Sequence, residues 1–221
     1  CCEAFSLKEK EVAEAYINIP CVKKKSDFLL RNTADILEDK NFDISTKEGK
    51  QKFIKNIFCY YIICEGTFFW SSFVMLLSIY RRGKLPGLST QIKLTLQDEI
   101  GHLSFGVWLI NEIKKEYPEI WTKKFQEELI DLLKEAVDLE IEYARDTVPE
   151  PILGFSAEMF VDFMQYIGNR RLESISLDFK YLKDINPFGW VEEVMEAKAL
   201  TAFFEQRETE YRNSGELKDD L

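Results

Sequence analysis

The chain has 221 residues and a formal net charge of −10, which disfavours nucleic acid and an anionic membrane surface as partners. Its content of 46% apolar and 31% charged residues is typical of a soluble globular protein, and its length suits one domain. The five cysteines form no disulfide framework and no zinc spacing, which favours reduced thiols and a cytoplasmic location.

Long periodic segments, interrupted by only 10 glycines and 6 prolines, predict an all-α fold. Capping boxes at Ser6 and Ser45 and single caps at Ser89 and Ser156 mark where helices begin. The predicted helices cover residues 6–16, 22–37, 45–80, 89–117, 122–146 and 156–177, and a short helix follows the turn at residues 186–190.

The third predicted helix contains a long apolar run. Residues 57–80 include a single charged residue, Glu65, so this run is long enough to be a candidate membrane span. A glutamate is costly in lipid, and the neighbouring amphipathic helices need an apolar partner. A helix that is apolar all round is what the centre of a helical bundle requires, so we expect a central bundle helix.

The helix predicted over residues 122–146 is amphipathic. Its acidic residues are expected to form mostly a solvated face, and none of them is predicted as a metal ligand. They are Glu127, Glu128, Asp131, Glu135, Asp138, Glu140 and Glu142.

A candidate metal site involves the only histidine of the chain. Glu99 and His102 are three residues apart, so on a helix they share one face and could bind one metal ion together. Glu65 is a carboxylate in an apolar segment and needs a partner, which a metal ion would supply. Four-helix di-metal carboxylate proteins use single glutamates from two helices and Glu-x-x-His from two others, so one half of that constellation is present. A lone histidine on an apolar face is nevertheless more often a hydrogen-bonded residue than a ligand.

Several separated motifs make the chain resemble the β subunit of class I ribonucleotide reductase, the small, radical-generating subunit. The resemblance covers essentially the whole chain and is closest to the class Ic branch. The motifs are the run from Glu65 to Phe73, Asp98-Glu-x-x-His102, Asn169-Arg-Arg-Leu-Glu173 and Asn186-Pro-Phe-x-Trp190, together with residues 60–63, 118–122 and 138–144 for class Ic.

The resemblance implies roles for particular residues. The family's functional residues match seven positions of this chain. The matches are three of the six metal ligands, two radical-transfer residues and two residues of the apolar wall of the metal site. They are, in that order, Glu65, Glu99 and His102, then Asp98 and Tyr211, then Phe69 and Phe73. The two phenylalanines could equally be core residues, and Tyr211 an ordinary tyrosine of the tail.

The same resemblance implies a ferritin-like helical bundle at residues 1–202 and a mobile C-terminal tail at residues 203–221. Such a subunit generates and stores the oxidising equivalent, a radical or a high-valent di-metal cofactor, that the α subunit uses to reduce ribonucleotides. It implies a dinuclear Fe/Fe or Mn/Fe centre, a homodimer, and an α subunit that docks through the tail. The helices that carry the other ligands are expected to precede Cys1, so the chain by itself would hold an incomplete site.

Three alternatives stay open at this point. A ferritin-like di-metal oxidase would need no α subunit, and a metal-free helical interaction protein would need no ligands. In the third alternative, two copies of the chain pair, and each donates Glu65, Glu99 and His102 to one symmetric site.

Overall fold

Residues 8–40, 42–152 and 154–196 are described by a computed structural model of the chain. Within these ranges the protein is helical, with one isolated bridge between Ile152 and Phe155 and no strand, as the sequence predicts. The helices are α1 (Glu9–Ala13), α2 (Ala15–Asn18), α3 (Pro20–Glu38), α4 (Lys47–Ile57), a π-helix (Phe58–Phe68), α5 (Trp70–Arg81), α6 (Pro86–Glu116), a 3-10 helix (Pro118–Ile120), α7 (Lys123–Thr147), α8 (Ala157–Ser174) and α9 (Gly189–Glu196).

The predicted cap at Ser156 is confirmed, and Thr122, predicted as the first residue of its helix, is a cap as well. The Thr122 hydroxyl accepts a hydrogen bond from the Phe125 amide at the start of α7. The Ser156 hydroxyl accepts one from the Met159 amide at the start of α8. Each cap satisfies an amide that has no partner within the helix, and so fixes where the helix begins.

The starts of α4 and α6 differ from the prediction. Thr46, the second residue of the predicted capping box, caps α4 by accepting from the Gly49 amide. Helix α6 begins at Pro86 rather than at Ser89, because proline lacks an amide hydrogen and has a backbone angle suited to the first helical position. The hydroxyl of Ser89 instead donates to the Leu85 carbonyl. The first capping box, at Ser6, lies outside the described residues.

The helical stretch Lys47–Arg81 runs through the centre of the bundle. Among the described residues it is the one helix long and apolar enough to cross a membrane, but 61% of its most apolar window is buried inside the protein. Ile54, Phe58 and Leu77 along it are fully buried. The apolar surface is therefore covered by other helices, and the prediction of a central bundle helix is confirmed.

The sequence predicts one uninterrupted helix over residues 45–80. The structure differs, because the middle part of this stretch is the π-helix Phe58–Phe68. A π-helix is wider than an α-helix and leaves backbone groups without their usual partners where the two geometries join. Side chains satisfy three carbonyls here. Thr67 donates to Ile62, Lys25 Nζ to Phe68 and Arg171 Nε to Gly66.

Glu140 corrects the prediction that the acids of residues 122–146 form a solvated face. Its side chain is fully buried, its Oε2 lies 2.6 Å from Lys25 Nζ, and its Oε1 accepts from the Ser71 amide. Burial raises the pKa of Glu140, while Lys25 and the Ser71 amide act in the opposite direction. The ion pair joins α3, α7 and the end of the π-helix.

Removing one partner of this ion pair should be costly. We expect Lys25→Met to lower the free energy of unfolding by about 3–5 kcal/mol, because it leaves Glu140 buried without a counter-charge. The loss should shrink as the pH falls and the carboxylate becomes neutral, and Lys25→Met/Glu140→Leu should regain most of it. Urea unfolding measures both variants. Lys24→Met is the control, since its partner Glu142 is partly exposed and little change is expected; an equal loss in that control would contradict the argument.

Two glycines let α6 approach the π-helix closely. A Cβ atom on Gly106 would lie 2.2 Å from Tyr61 Cβ, and one on Gly66 would lie 2.8 Å from Leu103 Cδ1. At Gly106 no side chain larger than hydrogen fits without a shift of the π-helix, because Tyr61 Cβ is fixed to its backbone, whereas at Gly66 the end of the Leu103 side chain would have to move. The close approach brings the middle of α6 over the segment that carries Glu65.

Alanine should therefore have opposite effects on stability at two glycines of α6, Gly106 and Gly101. Gly106→Ala should destabilise the protein by about 1–3 kcal/mol, because the new methyl group overlaps Tyr61. Gly101→Ala is the matched control: nothing lies within 4 Å of its added Cβ, and replacement of a helical glycine should stabilise by up to about 1 kcal/mol. Thermal unfolding of both variants measures the difference, and equal effects would contradict the packing described.

Candidate metal centre

Three residues from two neighbouring segments meet at one point of the bundle. Glu65 lies on the π-helix, and Glu99 and His102 lie one helical turn apart on α6. One potential ligand atom from each lies within 4.8 Å of the other two. His102 Nδ1 is 3.0 Å from Glu99 Oε2 and 3.6 Å from Glu65 Oε1. The structure thus brings together the three residues predicted as ligands, two carboxylates and one imidazole.

Glu65 is the buried member of this group. Its side chain is 13% exposed, and its Oε2 atom is buried with no hydrogen-bond partner among the described residues. Burial raises the pKa of Glu65, Glu99 raises it further, and His102 opposes them. A buried carboxylate oxygen without a partner is costly, and a cation held between Glu65 and His102 would satisfy it. The donors present therefore fit a metal ion.

His102 is half exposed, and its ring nitrogen Nδ1 faces both carboxylates. The hydrogen bond that His102 Nδ1 donates to the Glu99 carboxylate raises the pKa of His102, and the charges of Glu65, Glu99 and Asp98 add to this effect. A neutral imidazole nitrogen beside two carboxylate oxygens is a ligand set that suits iron, manganese and similar divalent ions. Three ligands cover only part of the coordination shell of one such ion, and less of a dinuclear centre.

Of the other residues singled out from the sequence, three lie within the described part and Tyr211 does not. Asp98 is exposed on α6, directly before Glu99. Phe69 follows the π-helix and is 38% exposed, Phe73 is buried, and their rings are 6.3 Å apart edge to face. Tyr211 and the tail at residues 203–221 lie outside the described residues.

One functional candidate was missed by the sequence reasoning. Arg171 on α8 is 8% exposed, and its Nε donates to the carbonyl of Gly66, next to Glu65, at 2.6 Å. A signal was available, because Phe163, Ile167 and Arg171 recur every four residues on one buried helix face. A charged residue at such a position predicts a buried cation.

An exposed aromatic surface lies on the same two segments as the ligand group. We call it the aromatic face, formed by Tyr60, Tyr61, Phe105 and Trp108. Phe105 stacks between Tyr61 and Trp108 with ring centroids 5.6 and 5.8 Å away, and Tyr60 and Trp108 are more than half exposed. Clustered exposed aromatic side chains are typical of an interaction surface. His102, on the same helix as Phe105 and Trp108, is half exposed as well.

Comparison with known proteins adds sequence and fold relationships. Ribonucleoside-diphosphate reductase subunit beta of Chlamydia pneumoniae is 47% identical over 216 residues, which are 98% of this chain and 62% of that protein. The subunit beta of Treponema pallidum (strain Nichols) is 29% identical over 163 residues, 72% of this chain and 46% of that protein. The chain thus spans less than two thirds of the length of either relative.

The fold is shared with a solved structure, the ribonucleotide reductase R2 subunit from Clostridium botulinum. The TM-score is 0.71 at 24% identity, over 84% of this chain and 56% of that one. This likeness shows the ferritin-like helical fold. Residues 2–187 also match the family described as ribonucleotide reductase, small chain. Since that match includes most of the sequence, the chain belongs to the ribonucleotide reductase small-chain family.

Proposed function

We propose that the chain is part of the small subunit of ribonucleoside-diphosphate reductase, and that Glu65, Glu99 and His102 hold one half of its metal centre. The family implies a dinuclear metal site. The observation that carries the proposal is the Glu65 carboxylate: its Oε2 atom is buried without a hydrogen-bond partner among the described residues, and its Oε1 atom lies 3.6 Å from His102 Nδ1. Neither a packing role nor a surface role explains an acid in that position.

The donor set suits either proposed composition of the centre, Fe/Fe or Mn/Fe. When bound, the centre supplies the oxidising equivalent that the α subunit uses to reduce ribonucleotides. The residues of this chain hold and shield it. Glu65 offers a carboxylate from the buried side, Glu99 orients the imidazole of His102 through a 3.0 Å contact, and Phe73 adds a buried apolar ring to the central helix.

The remaining ligands have to approach from the solvent-exposed side of His102, because Glu65 closes the site from the buried side. We place those ligands on a further stretch of the same subunit, because the 47% identical relative is longer than this chain. A second copy of the chain is the alternative source, and it would make dimer formation depend on metal.

Metal binding by the 221-residue chain tests the ligand assignment. We expect it to bind one Co²⁺ ion per chain, and Glu65→Gln and His102→Ala each to weaken binding at least ~10-fold, because each removes a donor from a partly formed shell. Equilibrium dialysis measures the affinity, with Glu127→Gln, an exposed acid on α7, as the control.

Unchanged affinity in Glu65→Gln would contradict the assignment. Sedimentation of the loaded protein separates the two sources of the remaining ligands. A monomer with one ion supports a further stretch of the subunit, whereas a dimer that forms only with metal supports the symmetric site.

We further propose that residues 203–221 dock the α subunit and that Asp98 and Tyr211 transfer the radical between the subunits. The resemblance of the tail and the position of Asp98 directly before Glu99 support this proposal. By the same family relationship, the whole subunit is a cytoplasmic homodimer. The ferritin-like oxidase without an α subunit lacks such support.

Substitution of Tyr211 tests the transfer role in the complete subunit assayed with its α subunit. We expect Tyr211→Phe to abolish nucleotide reduction, because phenylalanine cannot lose a phenolic proton with the electron. Metal content and binding to the α subunit should stay unchanged, as measured by elemental analysis and sedimentation. Tyr16→Phe, at an exposed tyrosine of α2, is the control; full activity in Tyr211→Phe would remove Tyr211 from the path.

A further inference from the structure

The π-helix ends at Phe68, three residues after Glu65, and two buried charged residues bind backbone groups on either side of its end. The Gly66 carbonyl accepts a hydrogen bond from Arg171 Nε at 2.6 Å. The Ser71 amide, which lies five residues on and would continue a π-helical pattern from Gly66, donates to Glu140 Oε1. Arg171 thus satisfies the Gly66 carbonyl, and Glu140 satisfies the Ser71 amide.

Burial of the Arg171 guanidinium costs more desolvation free energy than one hydrogen bond to a carbonyl returns. Burial lowers the pKa of its guanidinium to about 9, and its Nη2 atom has no hydrogen-bond partner among the described residues. The guanidinium carbon lies 4.7 Å from the centre of the Trp70 ring, which fixes the orientation of the side chain. A buried cation of this kind is weak evidence for a stabilising role, so a role in local geometry is the better explanation.

Glycine at position 66 gives the guanidinium its access. A Cβ atom there would lie 3.2 Å from Arg171 Nε and 2.8 Å from Leu103 Cδ1. Leu103 follows His102 directly on α6. Two helices therefore pack against Gly66, the residue that follows Glu65. Helix α8 contributes Arg171, and α6 contributes Leu103.

We infer that Arg171 is a positioning residue for Glu65: its bond to the Gly66 carbonyl fixes the turn of the π-helix that presents the Glu65 carboxylate to Glu99 and His102. The inference rests on the proposed function of these three residues as ligands. Arg171 acts through the backbone and does not itself contact the metal.

A double-mutant comparison with Co²⁺ separates positioning from general structural support. Arg171→Gln should raise the Co²⁺ dissociation constant ~10–100-fold in the chain with Glu65, as expected for loss of a group that orients a ligand. In the Glu65→Gln background the same change should have almost no effect, because the residue being positioned is gone. Arg171→Lys, which keeps one donor, should restore part of the affinity, and Arg170→Gln, at the exposed neighbour, should change nothing.

Equal weakening by Arg171→Gln in both backgrounds would overturn the inference and assign Arg171 a general structural role. Crystal structures of Arg171→Gln and Arg171→Lys decide the matter independently of metal binding, and the lysine variant does so when the glutamine variant does not fold. A Glu65 Oε1 to His102 Nδ1 distance that stays at 3.6 Å in a variant that has lost the bond to the Gly66 carbonyl would overturn the inference, and so would a displaced Glu65 in Arg171→Lys with that bond intact. If the unaltered chain binds no Co²⁺, the ligand assignment fails, while a displaced Glu65 in a variant without that bond still supports positioning.

Discussion

The central helix carries a carboxylate into the interior, and the structure depends on how the irregular backbone around that carboxylate is satisfied. Buried carbonyl and amide groups require partners, and the junction after Glu65 takes them from distant parts of the chain. Lys25 arrives from α3, Glu140 from α7 and Arg171 from α8. Three outer helices are thereby tied to one short segment, and that segment carries one wall of the candidate metal centre.

The same segment shows why stability and function are connected here. Small residues at positions 66 and 106 allow α6 to lie against the π-helix, and this contact sets the distance between Glu65 and the Glu99–His102 pair. A regular α-helix would have satisfied its own backbone without buried charges. The irregular geometry is retained where a ligand has to face a neighbouring helix, which is a common place for π-helical segments.

Part of this arrangement could be predicted from the sequence. Glu65 is conspicuous as one charge in an apolar run, and Glu99 and His102 share one face of an α-helix because they are three residues apart. The candidate ligands therefore follow from local patterns. The π-helix could not be predicted, because a segment that is apolar all round shows no periodicity by which to tell one helix type from another. Glu140 was misjudged because its partner Lys25 is 115 residues away, and pairing at that separation is set by the fold.

The chain contains a single histidine, and it lies within the candidate metal centre. Every imidazole signal in a nuclear magnetic resonance spectrum of this protein therefore comes from one known position, without assignment by mutagenesis. Arrival of a cation, docking of another polypeptide on the aromatic face, or exchange between conformers would each alter the same ring-proton resonances. His102 is therefore a built-in spectroscopic probe of the candidate metal centre.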